Sequence, residues 1–483
     1  MTAELLLQYQ RCQRRAFLDT HGNPSLRDAP SEFLLRLQQD KSTYQHHVLA
    51  QQNHYRPDYH RSDWEKGAIA TLELMQQGVE RISKAVLLAN YSEYTLLSRP
   101  DLLIKQPGKS IFGDWVYIPA QIELGKRPKL EYQIVAAYHA RVLAQVQGIA
   151  PTTAWLLLRR PEMYTVDVAK WMLQMQRSLD HCLQILESPS APEVFISRQR
   201  CSLCRWYTQC YAIAKSQQHL SLIPGVTPNR YAQLQALNVL TLEALVQLSP
   251  QQLETLPGFD RKVAQMLILQ AQAVFEDRPI LLNSNYPLIA DHEVELYFDI
   301  EAEPDLNLDY LLGVLVVNRQ TNTQTFHNFL AETPAQEAEI WQQFLDLVSQ
   351  YPTAPIYHFC AYEVDTVKRL GKLYQTPRQQ IKALLSRFVD VYEQVTQTVA
   401  LPVENYTLKA IARSLGFEWR DPQANGSQCI YWYDQWLATG DRTLLDAIVR
   451  YNEDDCAATR YVRDWLVDFA NHSIVTKPEQ LFN

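Results

Sequence analysis

The sequence predicts an α/β chain of several domains, and three observations carry that reading. Short apolar runs rich in aromatic and branched residues, such as Val294–Glu301, have the length of buried strands. Between them lie stretches whose apolar residues recur at helical spacing. Ile134, Val135, Tyr138, Val142 and Val146, stopped by Gly148, are one example. The length of 483 residues accommodates about two to four domains.

Composition narrows the function classes. The chain is 47% hydrophobic and 20% charged, ordinary for globular material. A net charge of -8 excludes a globally basic nucleic-acid binder, so phosphate contacts must come from local patches. No apolar run reaches the roughly 18 residues of a membrane span. The start, Met1-Thr2-Ala3-Glu4, lacks the layout of a signal peptide, and a cytosolic location is expected. Eight cysteines in such a chain argue for metal ligation or inert burial rather than disulfides.

Taken in order, the chain opens with Cys12 among basic neighbours, Arg11, Arg14 and Arg15. Residues 31–90 read as helices with polar faces, broken near Pro57. Strands are expected at Tyr94–Leu97, Pro100–Ile104 and Trp115–Glu123, followed by a helix over Leu130–Gln147. A further strand, Ala154–Leu158, and a helix, Val168–Leu186, complete this part. Next comes Cys201-x2-Cys204-x5-Cys210. Thiolates at that spacing select zinc or an iron–sulfur centre, and Cys12 is the candidate fourth ligand.

From Leu222 the pattern changes. Ile223-Pro224-Gly225-Val226 and Leu256-Pro257-Gly258-Phe259 each lead into a helix, with Ser249-Pro250 capping another. An ordinary helical linker has this look, and so do helix-hairpin-helix modules, which this stretch resembles. In those, glycine turns at Gly225 and Gly258 let backbone N–H groups approach a phosphate. Asp277–Pro287 reads as the linker onward.

The last part predicts strands at 294–300, 310–318 and 324–330, a helix at 334–350, a strand at 355–359, and mostly helices thereafter. Asp299 and Glu301, two apart on a strand, share a face. Unless the strand lies at a surface edge with both acids solvated, two like charges so placed call for a cation between them, and carboxylate oxygens suit Mg²⁺ or Mn²⁺. Glu363 opens a predicted helix, and Tyr451 and Asp455 lie four apart on one helix face.

The strand order resembles an RNase H-like fold, and these residues resemble the 3′–5′ exonucleases of the DEDD superfamily, Tyr variant. The resemblance implies that Asp299, Glu301, Glu363 and Asp455 hold two divalent ions, with Tyr451 orienting the attacking water. Glu363 departs from the family's usual Asp by one methylene. The N-terminal part looks like iron–sulfur RecB-type nucleases. There Cys12, Cys201, Cys204 and Cys210 would bind a [4Fe–4S] cluster that staples a PD-(D/E)xK domain. Asp101 fits that family's first acid, and His46 or His47 its histidine.

The (D/E)-x-K motif should fall at Gln121 and Glu123, where an acid has become Gln and the lysine has become Glu. Lys126 or Lys129 would have to swing in. A degenerate site is therefore expected at Asp101, Gln121, Glu123 and Lys126, with Lys126, Arg127 and Lys129 binding phosphate.

The whole arrangement resembles a bacterial family of RecB-like nucleases. It divides into a PD-(D/E)xK-like α/β module (1–216), an all-α helix-hairpin-helix module (217–280) and an RNase H-like α/β domain (290–472). The expected function is a metal-dependent nuclease acting on nucleic acid, DNA favoured over RNA, through the C-terminal site. The rival is a non-catalytic nucleic-acid-binding or scaffold protein with decayed nuclease sites.

Overall fold

The strand-forming runs of the N-terminal part assemble into one mixed sheet in the computed structural model, which describes residues 1–60, 62–159, 162–283 and 292–475. By internal contacts the chain divides into two units, Met1–Ile213 and Ala214–Asn483.

In the first unit, β1 (Arg81–Ser83), β4 (Leu102–Ser110), β5 (Gly113–Glu123), β6 (Thr153–Leu158) and β7 (Tyr164–Asp167) form a sheet in the order β1-β4-β5-β6-β7. A separate hairpin pairs β2 (Leu87–Tyr91) with β3 (Tyr94–Ser98). β4 and β5 are antiparallel, whereas β5 and β6 are parallel. A parallel pair needs a crossover, which the helix Leu130–Gln147 supplies. That helix buries Ile134, Tyr138 and Val142 against one core cluster and Val135 and Ala136 against another. Being apolar nearly all round, it lies in the interior of the unit. One expectation fails here. Residues 31–90 are not all helical: helices at Glu32–Ala50 and Trp64–Gln76 give way to β1 and β2. Their apolar residues, Ile82 and Leu87 among them, find sheet partners, and tertiary pairing overrides the local pattern.

In the second unit, helices Pro228–Ala236, Leu242–Val246, Pro250–Glu254 and Arg261–Phe275 come first. Thr227 and Asp260 cap the first and last, each accepting a backbone N–H three residues on. The expected linker is only partly one. Within it β8 (Ile280–Leu281) pairs antiparallel with β14 (Val399–Ala400), because apolar Ile-Leu completes a small ladder. Residues 284–287 of that segment lie outside the described residues.

The main sheet follows, in the order β11-β10-β9-β12-β13. It comprises β9 (Val294–Glu303), β10 (Leu308–Asn318), β11 (Thr323–Leu330), β12 (Ile356–His358) and β13 (Phe388–Asp390). The first three are antiparallel, and β12 and β13 run parallel to β9. Alternation sorts β9 onto two faces. Leu296, Phe298 and Ile300 pack with the helix Glu337–Ser349, where Phe298 stacks on Phe344 at 4.6 Å. Tyr297 packs on the other face with Val391, Ile411 and Val462. That second face carries Asp299 and Glu301 as well.

The long helix Arg442–Val475 lies against β9 and β10, and a buried ion pair sets its register. Arg463 meets Glu295 at 3.2 Å, both nearly without exposure, and Arg319 and Asp464 extend the network. From Glu295 to Asp299 is four strand residues, about 13 Å. From Arg463 back to Asp455 is eight helical residues, about 12 Å. The matching distances bring Asp455 level with Asp299.

Candidate functional site

Asp299, Glu301 and Asp455 each offer a carboxylate oxygen within 4.8 Å of the other two. Among the described residues no other trio of metal-ligating side chains does so. β9 supplies the first two acids from one face and the long helix supplies the third. Burial and the charges of Asp455, Glu301 and Glu363 push the Asp299 pKa well above the carboxylate range. Burial and Asp455 do the same to Glu301. Burial lifts Asp455 to about 7, against hydrogen bonds from Trp419 and Tyr451 that favour its ionised form. Acids driven this far toward protonation by burial and crowding are the expected state of a cation-binding cluster without its cation.

Glu363 sits at the start of the helix Tyr362–Leu373, close enough to add to the field on Asp299 but outside the 4.8 Å trio. Its Oε2 is buried with no hydrogen-bond partner, 3.5 Å from His358 Nδ1. His358 Nδ1 lies 2.6 Å from the carbonyl of Cys360, which takes its N–H. An orphaned carboxylate oxygen beside three crowded acids fits a divalent ion as its missing partner. Tyr451 shares the helix face of Asp455. Burial and the surrounding acids raise its pKa far above the usual 10, so it stays a hydrogen-bond donor.

Sequence reasoning missed several neighbours. Asn452 Nδ2 donates to Asp299 Oδ2 at 2.6 Å, Trp419 Nε1 donates to Asp455 Oδ1 at 2.7 Å, and Lys409 lies over the Tyr451 ring. Asn452 directly follows Tyr451, a signal that was open to use. Nothing in the local pattern marks Lys409 or Trp419.

The helical stretch presents Gly225 and Gly258 in the left-handed region, at φ 93° and 86°. A side chain at either would be strained whatever the space, and nothing lies within 4 Å of a Cβ built on Gly258. Arg230 ties the two turns together, donating to Gly225 O at 2.8 Å and Gly258 O at 3.1 Å.

In the first unit Asp101 and Glu123 line a cavity of about 500 Å³ with Gln121. Asp101 accepts from Ile122 N at 2.8 Å and Gln45 Nε2 at 3.0 Å, with Lys84 at 3.5 Å. Glu123 pairs with Lys41 at 2.9 Å. The lysines facing these acids are therefore Lys41 and Lys84, and Lys126 is not in the lining. They come from the helix Glu32–Ala50 and from the residue after β1, positions that motif spacing cannot reach. Lys126, Arg127 and Lys129 occupy the turn into the next helix, with Lys129 at its N-cap. His46 and His47 do not line the cavity either, whereas His139 does. The Gln121 Oε1 atom is buried with no partner.

Cys12 ends the first helix, Cys201 the short helix Arg198–Cys201, and Cys210 lies in the helix Tyr207–Ser216. The thiols are neighbours. Burial pushes Cys201 up to about 11, with Cys12, Cys204 and Cys210 adding to the rise. Cys204 and Cys210 are likewise raised by burial and by nearby thiols.

Comparison with known families agrees with the C-terminal architecture. Residues 296–467 match the family model described as RNase_H superfamily, and residues 218–273 the one described as SAM-like Helix-hairpin-helix tandem. No curated protein matches the chain. The class these matches and the fold point to is a nucleic-acid-processing, nuclease-like protein. In particular, its C-terminal domain is RNase H-like and is preceded by a helix-hairpin-helix tandem. No helix among the described residues is long and apolar enough to cross a membrane.

Proposed function

We propose that the protein is a divalent-metal-dependent nuclease whose hydrolytic site is Asp299, Glu301, Glu363 and Asp455, with Tyr451 beside them. One observation carries this: three acids, Glu301 buried and Asp299 and Asp455 partly so, converge within 4.8 Å, all with raised proton affinity. A pair of Mg²⁺ or Mn²⁺ ions, held by the four acids, would supply an activated water and charge stabilisation at the leaving oxygen. The protein's own groups do the rest. Asn452 and Trp419 fix the orientations of Asp299 and Asp455. The Tyr451 hydroxyl stays protonated and gives its one hydrogen to Asp455 in the ion-free site; with Asp455 engaged by an ion it would be released to orient the attacking water rather than deprotonate it.

The finer reading is a 3′–5′ exonuclease on DNA, with Gly225 and Gly258 offering backbone N–H groups to the phosphate backbone. The resemblance to the Tyr-variant exonucleases and the two paired glycine turns support it. Cys12, Cys201, Cys204 and Cys210 are assigned to a [4Fe–4S] cluster. The resemblance to iron–sulfur nucleases and the nearness of the four thiols to one another support this. The cavity at Asp101 and Glu123 is assigned as catalytically silent, because both acids are engaged by lysines and Gln121 brings no charge.

Labelled single- and double-stranded DNA and RNA, incubated with Mg²⁺ or Mn²⁺, test the proposal. Wild type should cleave, releasing mononucleotides from a 3′ end, and Asp299→Asn should not. Equal cleavage by both would remove the C-terminal site from consideration. Absence of cleavage of every substrate would favour the non-catalytic scaffold.

A further inference from the structure

Lys409 is a cation near Asp455, on the edge of the acid cluster, and committed to no carboxylate. It stands on the helix Leu408–Ser414, half-buried against the rings of Trp419 and Tyr451, at 5.5 and 5.9 Å from their centres. Both rings are bonded to Asp455. Its ammonium donates to the carbonyl oxygens of Pro422, at 3.2 Å, and Ala424. Among the described residues no carboxylate lies within ion-pair distance of it, although Asp455 is near enough to favour its charge. An ammonium has three N–H donors, and two carbonyls use two. The two carbonyls hold the ammonium in place and leave one donor over.

The surroundings say what the last donor is for. Two residues that Lys409 touches, Ala424 and Tyr451, also wall a cavity of about 140 Å³, together with Arg420, Arg450, Asp421 and Asp454. Burial and Arg413 pull the Lys409 pKa down, so the fold maintains a partly desolvated cation here at some cost. The charge of the reaction accounts for it. Four carboxylates balance two divalent ions, leaving the phosphodiester and the extra negative charge of its transition state without a protein counter-charge.

We propose that Lys409 binds the phosphate of the substrate strand, a catalytic contact made by a cation on the Tyr451 side of the acid cluster. The proposal rests on the nuclease reading above.

The test is salt dependence. The full-length protein binds a labelled single-stranded DNA oligonucleotide in Ca²⁺, and log K is followed against log KCl. Loss of one phosphate contact lowers the slope by about 0.7 for a single strand. Lys409→Met should show that loss, and with Mn²⁺ its cleavage should slow by about 10²-fold or more. Its half-saturating Mn²⁺ concentration and melting temperature should stay at wild-type values, and Lys409→Arg should recover part of both losses.

An unchanged slope for Lys409→Met overturns the proposal, leaving Lys409 as a distant counter-charge to Asp455. A rate loss that travels with a shifted Mn²⁺ requirement, at unchanged slope, overturns it in the same way. Failure of the underlying reading looks different: Asp299→Asn then cleaves like wild type, while the salt slope still decides whether Lys409 meets phosphate.

Discussion

Gly313 and Asn452 cannot both keep their places if Gly313 gains a side chain. A β-carbon on Gly313 would fall 1.7 Å from Asn452 Oδ1. Gly313 pairs with Asp299 across the β10–β9 ladder, and Asn452 reaches over it to donate to Asp299. The glycine is thus the gap through which the long helix touches the acid cluster. Its backbone φ is ordinary, so space and not conformation requires it here.

Gly313→Ala should therefore destabilise the RNase H-like domain by about 1–3 kcal/mol, the usual range for overpacking. It should also displace Asn452 from Asp299. Adding Asn452→Ala removes both the oxygen and the carbon that clash, and denaturant melts should show most of the stability restored. Persistent loss in the double variant would place the conflict elsewhere.

Removing acids should abolish hydrolysis without unfolding. Asp299→Asn keeps an oxygen to accept from Asn452, and Asp455→Asn keeps one for Trp419. Each relieves repulsion in the ion-free cluster, so melting temperature in EDTA should hold or rise slightly. Circular dichroism melts beside the cleavage assay check both halves of this expectation.

The ion-free protein should lose stability as pH rises. Asp455 titrates at about 7 in the fold against an ordinary 3.8, so the native state binds its proton more tightly than the unfolded chain. That contribution is complete below the ordinary value and disappears as pH rises through about 7. Melting temperature in EDTA should fall from pH 5 to pH 8, Asp455→Asn should flatten the fall, and added Mg²⁺ should reverse it at pH 8. A melting temperature independent of pH would contradict the shift.

Tyr451→Phe should slow turnover by about 10²-fold while leaving the pH profile in place. The phenol stays protonated across the working range, so its loss removes a donor and no titrating base. Rates measured from pH 6 to pH 9 separate the two roles.

The four cysteines make a prediction about colour. Protein purified without oxygen should be brown, with broad absorbance near roughly 400 nm and inorganic sulfide bound. The thiols join the start of the chain to residues 201–210. Cys→Ser at any of Cys12, Cys201, Cys204 or Cys210 should lower the melting temperature of the N-terminal unit. One zinc per chain without sulfide would contradict the assignment.

The N-terminal cavity should be dispensable for hydrolysis. Asp101→Ala/Glu123→Ala should cleave at the wild-type rate, assayed below its own melting temperature. Endonuclease cleavage that survives Asp299→Asn and is lost in this double variant would show the cavity to be active.

The sequence by itself made most of the strands legible and singled out Asp299, Glu301 and Asp455, which the fold brings together. Alternation and helical spacing are local properties, legible in Val294–Glu301 and Leu130–Gln147 without a partner. The same locality placed Asp299 with Glu301 and Tyr451 with Asp455. It failed at Ile82 and Leu87, where a helical-looking stretch becomes strand because sheet partners are available. Everything that depends on distant segments meeting was left to the tertiary structure. The ion pair of Arg463 with Glu295 sets the register that brings Asp455 to Asp299. Lys41 and Lys84, not Lys126, face the N-terminal acids because a helix and a strand end converge on β5 and the start of β4. Trp419 reaches Asp455 from a loop, and Lys409, on a short helix, comes near enough to favour its charge. Periodicity reports which face a residue occupies, but electrostatic partnership depends on which faces are packed together, and only the folded chain decides that.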